Sequence, residues 1–237
     1  MLRLTDATRN LIYLNIGVFV IANILMKINP NLFILDYLFL NYFGSPEFKP
    51  PQIALHFFMH GDFFHLLFNL IGLFFLGPIV ESILGQKRFI LFYFLCAFGA
   101  VLLLNVIDFI VLQDLVKNFQ GRPEVYELLL EGRHYTSQSV EEEKFVEQAG
   151  KILFTKSSGA SGAIYGLLVA IGVKIPNVEM QLFPLPVRIK AKYIVIGLLS
   201  LALIFGFANI DGDSTNHFAH LFGGLFGWIL LKTWKIN

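Results

Sequence analysis

The chain has 237 residues, of which 56% are hydrophobic and 15% charged, and its formal net charge is +1. Soluble domains carry about 25% charged residues, so this composition, with a mean hydropathy of +0.66, indicates an integral membrane protein. The charge gives no case for a nucleic-acid partner, and the single cysteine, Cys96, excludes a disulfide framework within the chain.

Six apolar segments are long enough to cross a bilayer, which takes about 20 residues of helix. The first of them follows Arg3 and Arg9 but offers no small-residue cleavage site, so we expect an uncleaved span and not a signal peptide. The predicted fold is an all-α, polytopic membrane bundle that forms one domain over residues 1–237. Its spans lie approximately at residues 11–28, 63–84, 89–112, 158–175, 192–209 and 215–233.

The basic residues of the short connections predict the orientation of these spans, because Lys and Arg favour the cytoplasmic side. The N-terminus, the connections after the second and fourth spans and the C-terminus carry basic residues at positions 3, 9, 87, 88, 188, 190, 192, 232 and 235. The loop after the fifth span, NIDGDSTN, has two aspartates and no basic residue. Both termini are therefore predicted to be cytoplasmic, and the two long connections to face outward.

The two long connections differ in character. Residues 29–62 are rich in aromatic residues but broken by four prolines, which predicts an interfacial loop and not a seventh span. Residues 113–157 form the only truly polar stretch and are predicted to be an outer loop. Within it, Ser139 and Glu142 stand at capping-box spacing, so a short outer helix is expected there.

Polar side chains within the spans are the strongest functional pointers, because burying them in a bilayer is costly. His65 and Asn69 stand four residues apart on one face of the second span. Ser161 opens the fourth span, and His217 and His220 open the sixth. These three spans all begin on the outer side, so their polar groups are expected to share one depth.

Small residues recur every four positions along the fourth and sixth spans, a spacing that lets two membrane helices approach closely. The first seam comprises Ser158, Gly162, Gly166 and Ala170, and the second comprises Ala219, Gly223 and Gly227. Ser161 lies one residue before a member of its seam and His220 one residue after a member of its own, so on two parallel helices both project toward the same flank. The two side chains are therefore expected to meet.

Such a meeting has a definite chemistry. A serine hydroxyl becomes a nucleophile when a neutral histidine accepts its proton. The oxyanion that forms then needs donors, and His65, Asn69 and the backbone N–H groups at the start of the fourth span can supply them. The two aspartates before the sixth span belong to the outer loop, so the sequence predicts a Ser161–His220 dyad and not a triad.

Three segments carry a resemblance to a known family. HLLFN early in the second span, GASGAIYG at the start of the fourth and AHLFGGLFG at the start of the sixth resemble the rhomboid family of intramembrane serine proteases, over about residues 10–233. The resemblance implies a six-transmembrane-helix rhomboid-like bundle that hydrolyses peptide bonds in or near transmembrane segments of other membrane proteins, without a cofactor or metal. It implies Ser161 as the nucleophile and His220 as the base. The oxyanion hole would comprise His65, Asn69 and the Ser161 backbone N–H.

The resemblance also implies supporting roles. Tyr165 would stack on His220 and hold its ring, and His60 matches a second histidine that family members often have near the first loop. We expect Gly159 to keep the backbone above Ser161 open to substrate.

The fifth span is the expected gate for substrate, with residues 210–216 as a lid, and the expected location is a bacterial inner membrane. The sequence departs from the family at EFKPPQ, where many members have a Trp-Arg pair. That pair is therefore not available to stabilise the fold of the first loop.

The same residues allow other interpretations. The GASG motif and the His65–Asn69 pair could serve helix packing alone. An inactive rhomboid-like protein would bind transmembrane clients without cutting them, although it would be expected to have lost the serine or the histidine. A histidine-box metal enzyme could use His56 with His60 and His217 with His220, but almost no acidic residues accompany them at membrane depth.

Overall fold

The computed structural model describes residues 4–133, 136–181, 187–208 and 216–235. In these residues the chain forms nine α-helices and one two-stranded antiparallel sheet. The helices are α1 Asp6–Ile28, α2 Gln52–Leu55, α3 Phe63–Leu84, α4 Gln86–Asn118, α5 Glu124–Leu130, α6 Val140–Phe154, α7 Ser161–Lys174, α8 Ala191–Ala208 and α9 His217–Thr233. The strands are β1 Glu179–Gln181 and β2 Arg188–Lys190, in which Met180 pairs with Ile189. Two 3₁₀ turns, Phe33–Tyr37 and His56–Phe58, lie in the first long connection.

A helix lies at each of the six predicted spans. Among the described residues, four helices, α1, α3, α4 and α8, are long and apolar enough to cross a membrane. The 14 residues of α7 and the 17 residues of α9 fall short of the length that the other four reach. The structure therefore supports a multi-pass membrane protein, whereas the predicted count of six spans is not confirmed.

The polar connection at 113–157 contains more helix than the sequence predicted. α4 runs on into it, α5 is additional, and α6 occupies the place of the expected outer helix. Ser139 caps α6 as predicted, because its hydroxyl accepts the backbone N–H of Glu142 at 3.2 Å. α5 was missed because its two buried side chains, Val125 and Leu129, give only one turn of apolar spacing.

The chain divides into two compact units, the first drawn from residues 1–21, 60–104 and 159–237 and the second from residues 22–59 and 105–158. In the first unit α7 is the central helix, because α3, α8 and α9 all pack against it. Its residues are consequently buried over most of its length, at Gly162, Ala163 and 166–171.

A buried carboxylate joins α3 to the start of α1 in the first unit. Glu81 accepts hydrogen bonds from the hydroxyls of Thr5 and Thr8. It also accepts the backbone N–H groups of Ala7 at 3.1 Å and Thr8 at 2.9 Å. Because the first N–H groups of a helix have no partner within the helix, Glu81 caps α1 from a different helix.

The second unit has a small apolar core of its own, in which α5, α6 and the end of α4 enclose Tyr42 from the first long connection. Phe119 stacks on Phe145 with ring centroids 4.0 Å apart. The buried Glu142 carboxylate binds the Arg122 guanidinium, with Nε and Oε1 2.8 Å apart. The buried core residues are Tyr42, Leu112, Val125, Leu129, Phe145, Ala149 and Leu153.

The first long connection folds around Gln52 and not around a Trp-Arg pair. The buried Gln52 side chain accepts the N–H of Asn41 at 3.2 Å. It donates to the carbonyl oxygens of Asp36 at 2.8 Å and Glu47 at 3.1 Å. One amide side chain therefore joins three separate points of an irregular segment.

Two further links tie this connection to the rest of the second unit. Leu40 and Ser157 exchange two backbone hydrogen bonds of 2.8 Å each as an isolated antiparallel bridge. The N–H of Phe43 donates to Oδ1 of Asn105 at 2.8 Å. The connection is thus held by α4 and by the segment that follows α6.

Candidate active site

α7 and α9 are in backbone contact. A Cβ added at Gly223 would overlap the Gly162 carbonyl group, 2.6 Å from its carbon, and one at Gly227 would lie 2.9 Å from the Cα of Gly166. Gly166 also faces α4, since a Cβ there would lie 2.5 Å from Sγ of Cys96. No side chain fits at these crossings, so the repeated small residues in the sequence correspond to a close approach of the two helices.

His220 lies against α7. The ring of Tyr165 stacks on His220 with centroids 4.4 Å apart and an angle of 8° between the planes. Ser161 stands four residues before Tyr165 and therefore on the same face of α7. His217 meets His220 edge-on, with centroids 5.9 Å apart. The stack thus holds the His220 imidazole beside the helix face that carries the serine.

Ser161 is the half-buried first residue of α7. Ala160 before it provides no side-chain cap, and the first N–H groups of a helix have no partner within the helix. These N–H groups and the positive end of the helix dipole favour negative charge at this point. The start of α7 is therefore suited to an oxyanion beside the Ser161 hydroxyl.

Gly159 brings the chain close to His65. Its φ of +107° lies in a region that L-residues rarely adopt, and a Cβ there would lie 2.6 Å from Nε2 of His65. His65 is half-buried on the first turn of α3. Its Nε2 therefore faces the backbone two residues before Ser161.

Asn69 is buried one turn further along α3. Its amide nitrogen donates to the carbonyl oxygen of His65 at 2.8 Å, which uses one of its two hydrogens. His60 is fully buried, and its ring meets that of His65 edge-on with centroids 5.0 Å apart. His60, His65 and Asn69 thus form one group, and their supporting and oxyanion roles stay predictions.

The histidine pairs of the sequence were one alternative basis for a metal site. Among the described residues, no group of three or more His, Cys, Asp or Glu side chains could hold a metal ion. His56 is buried and donates from Nδ1 to the carbonyl oxygen of Gln52 at 2.7 Å. That bond accounts for His56 as a structural residue of the second unit.

The predicted lid at 210–216 lies outside the described residues except for Asn216. Asn216 caps α9, because its Oδ1 accepts the backbone N–H of Ala219 at 3.1 Å. The cap fixes the first turn of the helix that carries His220.

Sequence reasoning missed the turn that begins α3. The Asp62 carboxylate caps this helix by accepting the backbone N–H of His65 at 2.9 Å. The N–H of Gly61 donates to Nδ1 of the same histidine at 3.5 Å. An aspartate directly ahead of the apolar run FFHLLF is a helix-start signal from which this cap could have been located.

The family model for the Rhomboid domain matches residues 49–114 and 136–234, which is more than half of the chain. The chain belongs to the rhomboid family. The resemblance drawn from the three motifs is thereby confirmed, and all three motifs fall within the matched residues. Rhomboid proteins are generally intramembrane serine proteases, although inactive members exist. A comparison with curated proteins gave no match.

The match leaves a gap between residues 114 and 136, where α5 lies. α5 therefore lies outside the residues that match the family model, and its Val125 and Leu129 belong to the core of the second unit.

Proposed function

We propose that this rhomboid protein is an intramembrane serine endopeptidase that hydrolyses peptide bonds in or near transmembrane segments of other membrane proteins. Ser161 is the nucleophile and His220 the general base. The observation that carries the proposal is the stack of Tyr165 on His220, because it holds the imidazole beside the face of α7 that begins with Ser161. Family membership supports the reaction class.

The reaction follows from these groups. His220 accepts the proton of the Ser161 hydroxyl as its Oγ attacks the peptide carbonyl. Three groups donate to the oxyanion that forms, namely the backbone N–H of Ser161 and the side chains of His65 and Asn69. His220 then gives the proton to the leaving amine, and the ester left on Ser161 is hydrolysed by water that His220 deprotonates. No cofactor takes part.

The short central helix supports a site below the membrane surface. The 14 residues of α7 span about 21 Å, whereas the hydrocarbon core is about 30 Å thick. With Lys174 at the cytoplasmic boundary, Ser161 lies inside the bilayer thickness and is reached by water from the outer side. In this arrangement α7 and α9 complete a six-span bundle with both termini in the cytoplasm, in a bacterial inner membrane.

The substrate enters from the lipid beside α8. α8 buries only Ala191, Val195 and Ala202 among its 18 residues, so it is the least enclosed neighbour of α7 and the proposed gate. A substrate helix has its backbone groups bonded internally and must unwind before attack. Substrates with helix-weakening residues near the outer face and a small residue before the cleaved bond are therefore preferred.

Cleavage of a reconstituted transmembrane substrate tests the proposal. Ser161→Ala and His220→Ala abolish cleavage, and the matched Ser158→Ala, three residues before the nucleophile, retains it. A fluorophosphonate probe labels the wild type and Ser158→Ala but neither dyad variant. Equal cleavage by wild type and Ser161→Ala, loss of activity on metal chelation, or substrate binding without cleavage by the wild type would contradict the proposal.

A further inference from the structure

The turn before α3 makes two hydrogen bonds to His65, one to its backbone and one to its ring. In the first, Asp62 Oδ1 accepts the backbone N–H of His65 at 2.9 Å, and beside it the Asp62 carbonyl oxygen accepts the N–H of Leu66 at 3.1 Å. These bonds fix the first turn of α3, from which the imidazole projects. The position of the ring therefore depends on Asp62.

The second bond concerns the ring itself. The N–H of Gly61 points toward Nδ1 of His65 at 3.5 Å, a long hydrogen bond that favours the tautomer in which Nδ1 accepts and carries no proton. A neutral imidazole has one proton, which must then reside on Nε2. Nε2 is the atom that lies beside the Gly159 backbone, on the side where the chain enters α7.

We propose that the Gly61–Asp62 turn is the positioning element for His65, holding the neutral ring with its proton on Nε2 so that it points as a donor toward the oxyanion site. The inference rests on the proposed function for its catalytic consequence. Gly61 and Asp62 touch no reacting atom and act through His65 alone. Without the Gly61 N–H, the neutral ring divides between two tautomers, and only one of them can donate at this point.

Few charged groups face His65 within the described part of the first unit. Asp62 precedes it on the same turn, and the His60 ring meets it edge-on. The facing helix, α7, carries Tyr165 on its second turn and has no charged residue before Lys174. Once His65 itself takes up a second proton, both ring nitrogens carry hydrogen and the Gly61 donor is no longer needed.

Gly61→Pro and Gly61→Ala form a matched pair, because proline removes the N–H and alanine keeps it. A Cβ at position 61 has its nearest neighbour at 3.9 Å, so alanine fits. At neutral pH and above we expect the kcat of Gly61→Pro to be about half that of Gly61→Ala, because about half of the neutral rings then carry their proton on Nδ1 and cannot donate from Nε2. The ratio should approach one as the pH falls and His65 becomes doubly protonated. Rates are expressed per fluorophosphonate-reactive molecule, so misfolded protein does not contribute.

Asp62 supplies a second pair. Asp62→Ala removes the cap and should lower kcat severalfold at unchanged KM, whereas Asp62→Asn keeps an acceptor oxygen and should restore most of the rate. Ser139→Ala removes the equivalent cap of α6 in the second unit and should leave kcat per active molecule unchanged.

A spectroscopic measurement separates this inference from the proposed function. Nitrogen-15 NMR of ring-labelled histidine, assigned with His65→Gln, should show His65 protonated on Nε2 in wild type and Gly61→Ala and a tautomer mixture in Gly61→Pro. That result without any cleavage by the wild type would overturn the protease and leave the positioning role standing. A proton on Nδ1, a pH-independent ratio between the Gly61 variants, or equal kcat for Asp62→Ala and Asp62→Asn would overturn the positioning role.

Discussion

Gly159 combines two constraints at one residue, a φ of +107° and a Cβ position 2.6 Å from His65. Gly159→Ala should therefore lower both the stability and the cleavage rate, the latter by at least about tenfold because His65 must move. Gly85 offers a matched control, since its φ is +76° but nothing lies within 4 Å of a Cβ there. Gly85→Ala should show the backbone strain alone, as a lowered unfolding midpoint with normal kcat. Normal cleavage by Gly159→Ala would contradict the assigned geometry.

Glu81 is the second residue whose contacts permit a sharp prediction. Glu81→Gln keeps the shape but turns an amide N–H₂ toward donors on α1, so the free energy of unfolding should fall by about 3 kcal/mol. Thermal unfolding in detergent would measure the change. Glu143→Gln, at an exposed position of α6, is the control and should leave the midpoint unchanged. Equal midpoints for the two variants would show that the cap contributes nothing.

This cap also shows a limit of sequence reasoning. Ser139 was predicted as a cap because it stands three residues from its partner. Glu81 acts on residues more than 70 positions away, and nothing in the local pattern of either segment indicates the pairing. A buried polar residue in an apolar span signals that a partner exists, but only the packed helices identify it.

At the scale of elements, the crossing of α7 and α9 followed from sequence because a four-residue repeat of small side chains has one physical use in a membrane bundle. Gly223→Ala should force the helices apart, destabilise the protein and reduce cleavage strongly, since the alanine Cβ would meet the Gly162 backbone. At Gly197 on α8 nothing lies within 4 Å of an added Cβ, so Gly197→Ala should leave the free energy of unfolding unchanged or raise it by up to about 1 kcal/mol. Unfolding midpoints and kcat of the two variants give the comparison, and effects of the same sign would refute the contact.

The first long connection could not be predicted in this way, because an irregular segment has no periodic spacing of apolar residues. Its stability depends on Gln52, whose loss frees two carbonyl oxygens and one N–H. Gln52→Leu should increase amide hydrogen exchange across residues 36–52 and lower the unfolding midpoint. Gln148→Leu, at an exposed position of α6, is the matched control. Unchanged exchange in Gln52→Leu would mean that the connection is held by other contacts.

At the scale of the whole molecule, the division into two units was not visible in the sequence. The second unit joins residues 22–59 to residues 105–158, which are separated in the sequence by α3 and the first part of α4. Apolar periodicity located the helices, but the insertion of Tyr42 into the core of α5 and α6 depends on tertiary packing between distant segments. The crossing of α7 and α9 and the stack of Tyr165 on His220 were expected from the motifs. The core of the second unit was not, because its members are too far apart in the sequence to form a local pattern.

Stability of the whole molecule should depend on pH through His56. Burial lowers the pKa of His56 to about 4, whereas an exposed histidine titrates near 6.5. Below about pH 6.5 the unfolded chain binds a proton that the folded chain does not, so stability falls as the pH drops from about 6.5 to about 4, by up to about 3 kcal/mol. Unfolding midpoints measured between about pH 7 and pH 4.5 should decline in this sense. His56→Gln should flatten the decline, and an equally steep decline in that variant would assign it to other groups.

The burial of Cys96 against Gly166 has a practical consequence for observing this protein at work. Cys96 is the only cysteine of the chain and is fully enclosed, and an enclosed thiol is inert toward water-soluble reagents. A cysteine introduced at Ile196 on α8 or Trp228 on α9, both exposed, would be the sole target of a nitroxide or fluorescent maleimide. Pairs of such labels would report whether α8 moves relative to α9 in a lipid nanodisc, with every native residue of the α7–α9 crossing left in place.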